Sequence, residues 1–188
     1  MTVETTWSSG LTDDERATLQ RISRDTLTWC TASPRGEFSF APYAITARLQ
    51  TPRATFVTLM QGGGLRGCMG CLMPEAALCR SIHDNAMEAG LHDPRFPPVT
   101  ADEVSGIAIK LSVLGPFVAV DSPDAISPGV HGVVLMCRGR RAVFLPEVAL
   151  EQGWNREQMM DALCRKAGLP GGAWRAGCTL QVFQTEVF

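Results

Sequence analysis

The chain has 188 residues, 45% of them hydrophobic and 19% charged, with a formal net charge of -2. That is enough chain to bury a core without disulfides or metals, and a balance that gives no general attraction to nucleic acid or to an anionic membrane. No apolar run is long enough to span a bilayer, and Met1-Thr2-Val3-Glu4 lacks the basic start and apolar stretch of a signal peptide. Seven cysteines, an odd count at irregular spacings, then point to reduced thiols in the cytoplasm rather than to a disulfide framework.

The elements follow in chain order. Thr12 as N-cap with Glu15 three residues on makes a capping box. Leu19, Ile22 and Trp29, with Leu27 or Cys30, share an apolar face, so a first helix spans roughly 12–32. Pro34-Arg35-Gly36 breaks it, and Glu37 to Gln50 is mixed. Ala54 to Met60 reads as a strand, Gln61-Gly62-Gly63-Gly64 as a turn, and Leu65 to Leu72 as the return strand. Pro74 suits the first turn of a helix running through Ala76, Leu78, Ile82 and Ala86 to about Gly90. After the proline-rich "HDPRFPPVT", Ile107 to Val113 alternates as a strand. The second half repeats the order. Val133 to Met136 and Arg141 to Leu145 flank an Arg138-Gly139 turn, Asn155 with Gln158 caps a helix ending at Gly168, and Cys178 to Phe188 closes as a strand.

Both halves, roughly 54–121 and 129–188, thus read hairpin, helix, strand, which suggests an internal duplication. The expected fold is α+β in a single domain of two intimate lobes. Its hairpins pair into one largely antiparallel sheet with flanking helices, because a lone hairpin is not a stable unit. Ser122-Pro123-Asp124 and Ser127-Pro128-Gly129 mark the nearest joint.

Chemistry concentrates in "LRGCMGC", Leu65 to Cys71. Cys68-x2-Cys71 followed by Cys79-x3-His83 has zinc-ligand spacing. However, a strand sends residues three apart to opposite faces, so no metal or cofactor is assigned. A dithiol redox pair wants its first thiol at a helix N-terminus, and here the helix starts after both. The remaining reading is one reactive thiol. Alternation sets Arg66, Cys68 and Gly70 on one face, where a guanidinium beside Cys68 favours thiolate, and puts Cys71 with Leu65 and Met69 toward the core. Gly67 and Gly70 let a ligand or another backbone approach, and their N–H groups are candidate anion donors. Cys79 and Cys164 read as helix core and His83 as an exposed helix position. In "HDPRFPPVT", Asp93 and Arg95 are either an ion pair or a second wall of the Cys68 site. His131 sits in a turn, as a hydrogen-bonding residue or a minor ligand contact. The Arg138, Arg140 and Arg141 cluster is too small to make nucleic acid a favoured partner.

The segments "FVTLMQGGGLRGCMGCL", "DPRFPPVT", "IKLSVLGP", "GVHGVVL", "RRAVFLPEV" and "LCRKAGLPGGAW", in that order, resemble the AMMECR-one domain family (AMME syndrome candidate gene one) and the A component of the bacterial AmmeMemoRadiSam system. The resemblance runs from about Phe38 to the C-terminus. Leu65-Arg66-Gly67-Cys68-Met69-Gly70 matches the family's Leu-Arg-Gly-Cys-Ile-Gly with one conservative change. It implies an α+β fold of two lobes, a site at Arg66, Gly67, Cys68 and Gly70, a second motif at Asp93, Pro94, Arg95, Phe96 and Pro97, and Memo-like and radical-SAM proteins as partners. The family motif does not require a cysteine at Cys71. The resemblance implies no particular reaction, and whether the protein is an enzyme stays open. Two readings follow: a small-molecule or protein-modifying site around Cys68, or a non-enzymatic adaptor using the same groove.

Overall fold

The computed structural model describes residues 7–32 and 36–188. The expected break at Pro34-Arg35 and the N-terminal Met1-Thr2-Val3-Glu4 lie outside the described residues. The fold is α+β, organised as two compact lobes. The first comprises Ser9–Leu114 with Glu186–Phe188, and the second comprises Gly115–Thr185 with Trp7 and Ser8.

In the first lobe, helix α1 (Asp13–Thr31) starts at the expected Thr12–Glu15 capping box. Glu15 does more than cap. It is buried and also accepts hydrogen bonds from Thr46 Oγ1 at 2.6 Å and Arg48 Nη1 at 2.7 Å, fixing the 46–48 turn to the helix start. Burial pushes its pKa up, but these partners and the Thr12 N–H outweigh that and hold it at about 2. Strands β1 (Thr55–Gln61) and β2 (Gly64–Cys71) form the hairpin around Gly62-Gly63. Both turn glycines have positive φ, 58° and 81°, as a two-residue turn matched to strand twist demands. Helix α2 (Leu78–Leu91) begins four residues after Pro74, later than the sequence suggested. The cause is local pairing: Ala77 bridges Pro52, and the N–H groups of Leu78 and Cys79 donate to the Thr51 and Leu49 carbonyls. The helix start thus takes backbone partners in place of a side-chain cap. Strand β3 (Ile107–Leu114) follows a 3-10 turn over Ala101–Gly106.

The second lobe holds β4 (Val118–Val120), β5 (Gly132–Cys137), β6 (Arg140–Phe144), α3 (Pro146–Glu151), α4 (Arg156–Lys166) and β7 (Thr179–Phe183). Val133, Leu135, Leu180 and Val182 of its sheet form one buried cluster with Met159, Met160, Leu163 and Cys164 of α4. Arg138 and Gly139 turn the hairpin with φ of 52° and 73°.

Two expectations about sheets need correction. The hairpins do not join one sheet. With β8 as Thr185–Val187, the described residues form two four-stranded sheets, ordered β2-β1-β3-β8 and β4-β7-β5-β6. Each hairpin finds its third strand within its own half: β3 pairs with β1, and β7 pairs with β5. The closing strand is also not continuous. It breaks at Gln184 into β7 and β8 (Thr185–Val187), which belong to different sheets. Leu111 and Phe188 exchange both backbone hydrogen bonds, tying the C-terminus to the first lobe.

The cysteine expectation fails for one pair. Cys137 and Cys178 form a disulfide. Pairing of Met136 with Thr179 sets Cys137 opposite Cys178, with Cα atoms 4.6 Å apart, and a separation of 41 residues hides this in the sequence. Cys79 and Cys164 are buried, as expected of core filler.

Candidate functional site

In the first lobe, α2 packs on β1 and β2, and α1 packs on α2. Val57 and Leu59 are buried, whereas the alternate residues Phe56, Thr58 and Met60 of β1 are half-buried on the other face. Gly67 faces α2: a Cβ built there would stand 2.2 Å from the Ala89 carbonyl oxygen. The glycine admits another backbone, so the face of Gly67 holds no ligand. Cys71 lies on that side too, with its Sγ 3.6 Å from Ser81 Oγ and 3.9 Å from Asn85 Nδ2 of α2. Cys68 points the other way, and the Thr58 hydroxyl donates to its sulfur at 3.3 Å. Gly70 is also a packing glycine, since a Cβ there would strike the Phe56 ring at 2.3 Å.

The pairing of β1 with β2 shifts between Leu59 and Met60: Leu59 faces Gly67, but Met60 faces Leu65. Arg66 is therefore the extra residue of a bulge, which re-aims its side chain. Its guanidinium donates to both Glu103 oxygens, at 2.9 and 3.1 Å, and to the Pro97 carbonyl at 2.9 Å. Arg66 thus braces the proline loop and spends its charge on Glu103, contrary to its expected role beside Cys68. Arg66 lowers the Glu103 pKa to about 2, with help from the Thr100 N–H and hydroxyl.

The second motif reaches Cys68. Asp93 is buried, and its Oδ2 accepts the Cys68 N–H at 2.8 Å. Arg95 grips both Asp93 oxygens, at 2.9 and 2.7 Å, and donates from Nη2 to the Cys68 carbonyl at 3.3 Å. The Arg95 bonds hold the Asp93 carboxyl well below the usual carboxylate range. Asp93 in turn raises the Arg95 pKa, and the charge of the Cys68 thiolate form acts in the same direction. Phe96 lies under the Arg95 guanidinium, 5.5 Å from it. Arg95 is thus a guanidinium electrostatically coupled to Cys68.

The other candidates lie elsewhere. His83 is buried rather than exposed. Its Nδ1 is 2.8 Å from Thr26 Oγ1, its ring stacks on Phe38 at 4.4 Å, and burial lowers its pKa. His92 pairs with Glu88 at the surface. His131 belongs to the second lobe, buried, with Nδ1 accepting the Ser127 N–H at 3.1 Å. There it lines a cavity of about 180 Å³ with Trp7, Val118 and Phe183. Cys68, Cys71, Cys79 and His83 do not converge: the described residues contain no group of three or more histidine, cysteine or carboxylate side chains able to hold a metal. No helix among the described residues is long and apolar enough to cross a membrane.

Sequence reasoning missed Thr58 and Glu103. Glu103 had a signal: Thr100-x-x-Glu103 is a capping box, and one forms there. Thr58 had only half of one. Counting back from the Gly62-Gly63 turn pairs Thr58 with Gly67, and only the bulge moves Cys68 opposite it.

The AMMECR1 family profile matches residues 21–188. A protein of Methanosarcina mazei is 34% identical over 141 residues, covering 72% of this chain and 71% of its own length. One of Methanopyrus kandleri is 37% identical over 153 residues, covering 76% and 74%. The crystal structure of uncharacterized protein PH0010 from Pyrococcus horikoshii is similar with a TM-score of 0.82 at 27% identity, over 90% of this chain and 88% of that one.

Proposed function

The chain belongs to the AMMECR1 family, and on that premise we propose that its first lobe carries a thiol site in which Cys68 forms the covalent bond and Arg95 is its cation. One observation carries the reading: Cys68 is held at three points, its sulfur by Thr58, its N–H by Asp93 and its carbonyl by Arg95. A hydroxyl donor and a guanidinium are the neighbours that a thiolate needs, and a backbone fixed on both sides keeps the sulfur aimed. The chemistry is nucleophilic attack on an electrophilic centre of a small molecule or a protein segment. By family resemblance, Memo-like and radical-SAM proteins supply or consume that group. The reading keeps the cytoplasm as compartment on the five free cysteines, and against it stands the Cys137–Cys178 bond, which a reducing compartment disfavours.

Limited alkylation with peptide mapping tests this. Cys68 labels before Cys71 and Cys79, and its labelling slows in Arg95→Ala more than in Arg66→Ala. A native Cys68 that stays inert, or a Cys71 that labels first, would reject the thiol site.

A non-enzymatic adaptor remains the second reading, and the histidines favour it. His83 and His92 are engaged away from the sulfur, and Asp93 addresses the Cys68 backbone. A general base must reach the proton it removes. An adaptor predicts binding of the partner segment with no turnover and no dependence on the Cys68 sulfur, which Cys68→Ser measures directly.

A further inference from the structure

Strand β1 is central, with β2 on one side and β3 on the other. Thr58 lies opposite Cys68 across the first pairing and opposite Lys110 across the second. Directly opposed residues project from the same face, on strands about 4.8 Å apart. Cys68, Thr58 and Lys110 therefore form one row across the face of the sheet turned away from α2. The Thr58 hydroxyl donates to the Cys68 sulfur, which leaves its oxygen lone pairs to accept from a donor on the far side.

The charges around the row are unequal. Arg66 is ion-paired with Glu103, and Arg95 divides its charge between Asp93 and Cys68. Lys110 is exposed and makes no ion pair among the described residues. It is also one of only two lysines among seventeen basic residues. The other, Lys166, donates to the Val143 carbonyl and covers the Phe144 ring. An ammonium is a compact charge with three donors. These donors are what an anionic ligand needs.

We propose that Lys110 sets the specificity of the Cys68 site for an electrophile that carries an anionic group, carboxylate or phosphate, held by the ammonium while Thr58 aims the sulfur. This deepens the thiol-site reading and rests on it. Thr58 is a positioning residue. Lys110 recognises the charge of the molecule under attack.

Two alkylating agents that differ in charge provide the test. With iodoacetate or iodoacetamide, the Cys68 sulfur bonds to the methylene carbon, the carbon–iodine bond breaks, iodide leaves with the electron pair, and the thiol proton goes to solvent. The readout is the ratio of the iodoacetate to the iodoacetamide rate at the Cys68 peptide, with the Cys71 peptide of the same sample as internal standard. In Lys110→Gln the ratio at Cys68 falls about fivefold, the effect of one unit charge near contact in water-like surroundings, while the Cys71 ratio stays constant. Lys110→Arg retains most of the preference. Thr58→Val slows both reagents alike and leaves the ratio unchanged, which a charge effect at Thr58 would not do. An unchanged Cys68 ratio in Lys110→Gln, with Cys68 still reactive, overturns the specificity role alone. Inertness of Cys68 toward both reagents removes the thiol site itself, and this inference with it.

Discussion

Gly67→Ala isolates the packing of helix on hairpin. The added Cβ would lie 2.2 Å from the Ala89 oxygen and 3.2 Å from its carbonyl carbon. Ordinary contact needs roughly 1 Å more room, and the obstacle is helix backbone, which has no rotamer to yield. Helix α2 must therefore lift from β2, and the lift loosens Leu78, Ile82, Ala86 and Ala89, all buried. A gap of 0.5–1 Å forfeits about a quarter to a half of the dispersion well at each contact. Overpacking typically costs about 1–3 kcal/mol, and a backbone obstacle belongs at the top of that range, so we expect about 3 kcal/mol. For a chain of this size that lowers Tm by about 6–12 °C. Urea and thermal unfolding followed by far-UV circular dichroism measure it, with Gly63→Ala as control. At Gly63 a Cβ meets open space, and the cost is confined to the strain of φ 81°. A Gly67→Ala protein within 0.5 kcal/mol of wild type would refute the close approach of α2 to β2.

Three further outcomes follow. Asp93 and Glu103 have depressed folded pKa values, so the stability they add is present above the ordinary carboxylate range and is lost as pH falls through the folded values. The Arg66–Glu103 link should thus loosen as pH falls from 4.5 toward 2, with the Cys68 amide, held by Asp93, losing exchange protection last; deprotection of that amide with a midpoint near pH 4 would contradict the assignment. Cys137→Ala should cost about 2–4 kcal/mol, the range for a disulfide closing a loop of this length. Alkylation in denaturant should modify five thiols without reductant and seven with it, and seven in both conditions would deny the bond. Zinc should be substoichiometric in protein purified without chelator, and one equivalent by elemental analysis, lost together with folding in Cys68→Ser, would overturn the separation of Cys68 from Cys71.

Much of this was legible because local chemistry decides it. Thr12 with Glu15, Asn155 with Gln158, and Gly62-Gly63 each dictate a cap or a turn that tertiary contacts did not override. Alternation along β2 correctly separated Cys68 from Cys71, since the bulge falls at Arg66 and leaves the residues after it in phase. What escaped reading depends on distant partners. Nothing between Cys178 and Phe188 resembles a breaker, so the switch of sheets at Gln184 carries no local mark. The re-aiming of Arg66 needed Glu103, 37 residues away. The delayed start of α2 needed carbonyls at Leu49 and Thr51. Asp93 and Arg95 were recognised as a pair, but their grip on the Cys68 peptide groups was not, because a side chain bonding to a strand leaves no periodicity.

That grip matters beyond chemistry. Strand β2 is the outermost of its sheet, and an outermost strand is a template on which another chain can pair. At Cys68 the outward N–H meets a carboxylate and the outward carbonyl meets a guanidinium, the acceptor and donor that a neighbouring strand would present. Asp93 and Arg95 together impersonate one peptide unit. They end the sheet where a second copy of the hairpin could otherwise zip on, so the same two residues that frame a candidate thiol also guard the protein against self-association. Asp93→Ala would unmask that rim, and concentration-dependent aggregation would accompany the change at the sulfur.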